Sequence, residues 1–127
     1  MKRLSHILIA ATLLLSACAK PQADQVIESL AAIENAMRLN VNDPDKLFTE
    51  LDACIEKYQP VWAKSDLQNH VSDRDKVTQE YEIRAEKIRR HTFNIINLDL
   101  EIQDRLIDDP VRLKAYESRV ARIGFRP

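Results

Sequence analysis

Cysteine, histidine and serine are the side chains that most often give a small domain covalent or metal chemistry, and here they are few and scattered. The chain has two cysteines and three histidines. Cys18 closes the run Leu15-Ser16-Ala17-Cys18, and Cys54 sits in Leu51-Asp52-Ala53-Cys54-Ile55. A thiolate is a good nucleophile at modest pH, so a cysteine is a natural point of covalent attachment. Asp66, His70 and Asp73 share a face if that segment is helical. They then read either as a weak metal site or as a solvated polar face. Neither His70 nor His91 has a glutamate three positions before it, so the Glu-x-x-His pairs of a di-metal bundle are missing. His91 follows Arg89 and Arg90, whose charge disfavours a bound cation. Gly124 is the only glycine, too few for a phosphate cradle. No glycine-rich elbow surrounds a serine to activate it. These residues lead us to expect no enzyme, no metal and no cofactor.

The chain opens with Lys2 and Arg3, then an apolar run from Ile7 to Leu15 broken only by Thr12, then small residues before Cys18. A charged start, a short apolar middle and a small-residue exit describe a secretory signal peptide. The run is too short for a membrane-spanning helix, which needs about 20 apolar residues. Leu15-Ser16-Ala17-Cys18 resembles the lipobox of bacterial lipoproteins. That resemblance implies diacylglycerol on the Cys18 thiol, removal of residues 1–17, and acylation, palmitate included, of the new amine. More than one acyl chain is needed for stable anchoring. Ala19, rather than aspartate, follows the cysteine. By the same resemblance the anchored chain belongs in the outer membrane of a Gram-negative host, facing the periplasm, and otherwise on the outer face of the cell membrane. The resemblance covers only this end, and no family suggests itself for the remainder.

Composition bounds that remainder. Without Lys2 and Arg3, 17 basic residues face 20 acidic ones, which argues against a nucleic-acid partner. The charge is uneven: residues 18–60 carry four basic and eight acidic residues, residues 110–127 five basic and one acidic. A cluster of Arg84, Lys87, Arg89, Arg90 and His91, with Arg119 and Arg122 further on, is therefore a candidate contact for an anionic partner. The rival reading is pairing with the acidic front half. With Cys18 lipidated, Cys54 has no partner within the chain, so it is either a buried small hydrophobe or a thiol open to another chain. Scarce glycine and abundant Ala, Leu, Glu and Arg favour helices over tight-turned sheets.

Apolar spacing predicts an all-α domain over residues 24–127, after a lipidated tether over 18–23: a bundle of four or five helices including one long one. A first helix from Asp24 to Leu39 lines up Val26, Leu30, Ile33 and Met37, with Glu34 and Arg38 paired outside that face. A second starts at Pro44 behind a capping Asp43 and lines up Leu47, Leu51, Cys54 or Ile55, and Tyr58. Pro60 is expected to kink or end it, leaving a short third helix from Val61 towards Val71. Tyr58 and Trp62 flank Pro60 as a corner of the core. A long helix from about Asp75 to Asp108 carries Val77, Tyr81, Ala85, Ile88, Thr92, Ile95, Ile102 and Leu106 on one stripe. Phe93, Ile96 and Leu100 form a second stripe, which implies burial on two sides. Ile96 to Ile102 also alternates strictly, so a strand is the alternative there. Asp109-Pro110 repeats the start signal for a last helix to Ile123, with Leu113, Tyr116 and Val120 inward and Gly124 as its C-cap.

Amphipathic helices behind a lipid anchor, without catalytic groups, point to an envelope lipoprotein acting as a non-enzymatic interaction or structural module. Its expected partners are the membrane, through its acyl chains, and an envelope protein. A binding module that takes an apolar or anionic ligand between its helices is the second reading, and a hydrolase the third.

Overall fold

The computed structural model describes residues 22–64 and 79–124, all of them helix or connecting turn. Four helices are present among these residues: α1 (Gln22–Leu39), α2 (Pro44–Lys64), α3 (Gln79–Arg105) and α4 (Pro110–Ile123). The expected bundle is what the chain forms, and the strand alternative for residues 96–102 fails because α3 runs through them. Val77, Cys18 and the Asp66, His70, Asp73 trio lie outside the described residues, as does Leu67 to Val71 of the expected third helix.

The helices start and stop where backbone chemistry says they should. Asp43 Oδ1 accepts from the Lys46 amide at 3.1 Å, and Asp109 Oδ1 accepts from the Arg112 amide at 3.1 Å. Each aspartate satisfies one of the orphan donors of a first turn, and the proline after it gives up no intrahelical hydrogen bond. At the other end, Gly124 takes φ 90° and its amide donates to the Val120 and Ala121 carbonyls. That left-handed conformation penalises any side chain with a Cβ.

Of the two outcomes expected at Pro60, a kink or an end, the end does not occur. Pro60 lies inside α2, which continues to Lys64 without a separate third helix beginning at Val61. The cost of a helical proline is the lost bond to the carbonyl four residues earlier, plus a steric clash there. Pro60 and Glu56 are both exposed, so the freed carbonyl can be hydrated. The turn beyond is held by Trp62, whose indole N–H donates to Ser29 Oγ at 2.8 Å.

Contacts spaced along the chain give the topology. Trp62 meets Ser29 and Asn40 meets Glu50, so α2 runs back along α1. Arg84 meets Asp24, Asn94 meets Glu34, and Arg105 meets Asn42, so α3 runs parallel to α1. Arg112 meets Asp45 and Arg119 meets Asp52, so α4 runs parallel to α2. The order is up, down, up, down. α1 packs against both α2 and α3, while α4 rests on α2. The core is the sum of the inward stripes: Val26, Leu30, Ile33 and Met37; Leu47, Leu51, Ile55 and Tyr58; Ile95, Ile102 and Leu106; Tyr116 and Val120 are all buried. Ile88 and Cys54 are half-buried against it.

Helix α3 separates two neighbouring apolar residues sharply, because Ile102 is 1% exposed and Leu100 59%. Ile102→Ala should cost about 2–4 kcal/mol, as core truncations do. Leu100→Ala should stay within about 0.5 kcal/mol, as exposed substitutions do. Urea titration of the two variants checks this, and equal losses would mean the helix is turned differently.

Candidate interaction surface

The outward face of α3 departs most from the sequence reading. Phe93, Ile96 and Leu100 were expected to be buried as a second stripe, yet they are 65%, 49% and 59% exposed. The reason is the number of layers: α1 covers one side of α3 and no described helix covers Phe93 and Leu100, while Ile96, at the row's edge, lines a small cavity with Val120 and Ile123 of α4. Spacings of three and four residues line these side chains up; Phe93 and Leu100 point away from the buried Ile102, and Ile96 lies at the row's edge. Arg89 continues the same row towards the N-terminus and Asp104 towards the C-terminus, both exposed. Periodicity identified the row correctly; it could not say whether a neighbour would cover it.

What fixes this face outward is a polar seam on the other side. Glu34 is buried at the α1–α3 contact. Its carboxylate accepts from the Asn94 amide, and His91 Nδ1 lies 3.0 Å from Glu34 Oε2. An ionised carboxylate has no proton to give, so Nδ1 carries the hydrogen. Arg38 adds an ion pair at 3.0 Å. The sequence reading placed the Glu34–Arg38 pair outside the packed face. The pair forms, but Glu34 is turned into the seam. The usable signal was His91 and Asn94, three apart on one face of α3. Burial pushes the Glu34 carboxyl up. The hydrogen bonds from Asn94 and His91, with the Arg38 charge, outweigh that and hold it below its ordinary value.

The six cations singled out as anionic-partner contacts are not gathered on one surface. Arg84 grips Asp24 with two nitrogens, at 3.0 and 3.3 Å. Arg119 grips Asp52 at 2.9 and 3.0 Å and lies 4.5 Å over the Phe48 ring. Both are used inside the fold, as the rival reading held. Arg122 lines a shallow surface groove with Asp52 and Glu56. Arg89 pairs with Glu86 at 2.9 Å, an exposed pair of little energetic weight. Lys87 and Arg90 are exposed and make no ion pair among the described residues. Further along α3, Glu101 pairs with Arg105 at 3.0 Å.

Other candidate chemistry is muted. Cys54 is half-buried, and burial, with Glu50 nearby, pushes its thiol up against the opposing pull of Lys57, which leaves it a poor nucleophile. Ser29 Oγ is engaged on both sides, donating to the Val26 carbonyl and accepting from Trp62. Among the described residues no cluster of three metal-ligating side chains occurs, and no helix is long and apolar enough to cross a membrane. A cavity of about 30 Å³ beside Met37, Ile95 and Val120 is far smaller than the several hundred Å³ of a typical ligand site.

No family model matches the chain, nor does any curated protein or solved structure.

The lowered Glu34 carboxyl carries a sign. A group whose folded value is depressed adds stability above its unfolded value, about 4.3 for glutamate, and loses it as pH falls through the folded value. Glu34→Gln should therefore flatten the loss of stability below about pH 4.3. Glu34→Ala should cost about 1–3 kcal/mol at pH 7, because His91 and Asn94 lose their acceptor. Denaturant titrations at stepped pH read both, and a wild-type acid slope persisting in Glu34→Gln would remove the seam from the account.

Proposed function

We propose that this chain is a lipid-anchored lipoprotein of the cell envelope, held by acyl chains on Cys18, whose helical domain works as a non-enzymatic interaction module. The observation that carries the reading is the outward α3 row of Phe93, Ile96 and Leu100. Monomeric soluble proteins seldom leave large apolar side chains contiguous on the surface, and such patches commonly mark contact sites. The row lies on a regular helix whose orientation is fixed from behind, so its side chains are presented in a defined order. A partner helix reads such a row through anchors at three- and four-residue spacing. The interior cavity of about 30 Å³ leaves no room for a ligand in the core, so the second reading would rest on the open groove of about 550 Å³ between α2 and α4, where Arg122 lies. The lipobox supplies the location: anchored in the outer membrane of a Gram-negative host, with the domain in the periplasm and an envelope protein as its partner.

The anchor is tested at Cys18. Cys18→Ala should abolish metabolic labelling by a fatty acid and move the chain from the membrane fraction to the soluble one. Retained label in the variant would place the lipid elsewhere, and an unlabelled wild type would remove the anchor altogether.

A further inference from the structure

We propose that the occupant of the outward α3 face is a second copy of this chain, docked antiparallel about a two-fold axis that passes between Ile96 and Asn97. This rests on the reading of that face as a protein-docking surface and names the protein.

Charge is laid out along this face with opposite signs at its two ends. Along α3 the row reads Arg89, Phe93, Ile96, Leu100, Asp104, with spacings of four, three, four and four. Its basic end holds Arg89, paired with Glu86 on the same face, and Arg90 to one side. Its acidic end holds Asp104, with Glu101 to one side paired to Arg105. Arg90 and Asp104 make no ion pair among the described residues, and Arg89 is held only by the exposed Glu86 pair. A two-fold between Ile96 and Asn97 sets Phe93 against the partner's Leu100, and Leu100 against the partner's Phe93. The same operation sets Arg89 against the partner's Asp104 at each end. One surface then meets itself with unlike charges outside and apolar groups inside, as an isologous interface requires. A parallel pair would stack Arg89 on Arg89 and Asp104 on Asp104, which like-charge repulsion opposes.

A bilayer fits the same face less well. Glu82 and Glu86 flank its basic end and Asp104 its acidic end, all exposed, whereas an anionic lipid surface is met by basic flanks. The apolar row is small against the roughly 800 Å² per partner of a standard interface. The association is therefore weak in dilute solution and gains from confinement, since tethering two chains to one membrane raises their effective concentration. The two-fold is perpendicular to α3, so the two α1 N-termini leave at opposite ends. Anchors at Cys18 in one membrane then hold the helices along the membrane plane.

The full chain, with Cys54→Ala and Asn97→Cys, is expressed in a Gram-negative host and treated in whole cells with a membrane-permeant bis-maleimide. Adducts are sized on a gel and identified by mass spectrometry. The expected product is a homodimer. Arg89→Glu alone and Asp104→Arg alone should each cut it at least tenfold, by facing like charges at both ends. Co-expression of the two single variants should restore it, because their heterodimer pairs unlike charges at both ends. Both substitutions are at exposed positions, and unchanged thermal melts confirm that folding is intact. A homodimer indifferent to both substitutions, or no rescue on co-expression, overturns the antiparallel second copy. A cross-link to a different protein overturns the second copy while leaving the face as a protein-docking surface. No cross-link, with a mono-functional maleimide showing the Asn97→Cys thiol to be reactive, likewise overturns the second copy.

Discussion

A carboxylate buried between two helices fixes how this domain is assembled. Taking Glu34 out of water costs several kcal/mol unless its oxygens are met, and they are met by His91, Asn94 and Arg38. Leu and Ile seams tolerate sliding, because one aliphatic contact replaces another at similar cost. A buried charge does not. Moving α3 along α1 by one turn, about 5.4 Å, would take His91 and Asn94 away and leave the buried Glu34 only its Arg38 pair. Asp24–Arg84 near one end of the α1–α3 contact and Asn42–Arg105 near the other hold the same register. Once it is set, the residues of α3 that face water are no longer free to vary, and Phe93, Ile96 and Leu100 are among them.

Much of this was legible in the sequence where the governing physics is local. The inward stripes followed from spacing alone, because burial on a helix repeats every three to four residues. The aspartate–proline starts at Pro44 and Pro110 and the glycine stop at Gly124 followed from orphaned backbone groups, which depend only on neighbours in the chain. What escaped depends on the number of layers and on pairing across them. Spacing said that Phe93, Ile96 and Leu100 form a row, and burial was inferred from their apolarity, but among the described residues no helix lies over Phe93 and Leu100. Arg84 reaches Asp24, sixty positions away, a pairing that spacing along one helix does not reveal. Glu34 had Arg38 within one turn, which made an exposed pair the economical reading. Pro60 does not end its helix, because the freed carbonyl faces water.

The proposed role ties the two ends of the account together. An acyl anchor removes the need for high affinity, because chains confined to a surface meet often. A narrow apolar row edged by opposite charges then suffices for recognition, with the charges setting orientation more than strength. Arg84 and Arg119, which looked like contacts for an acidic partner, instead spend their charge holding α1 to α3 and α2 to α4. Arg89 and Arg90, on the open side of α3, are the basic residues left beside the row.

The central claim is that this face of α3 is covered in the envelope and open when the chain is alone. It is tested by the labelling rate of a cysteine at Leu100, in full-length chain carrying Cys54→Ala, with a membrane-permeant maleimide. The rate is read in intact cells and in dilute detergent extract, each divided by that of a cysteine at Lys46, which is exposed on another helix. The account predicts that the Leu100 site labels readily in the extract and is protected several-fold in cells. Equal ratios in the two settings would mean that nothing covers this face, and would contradict it.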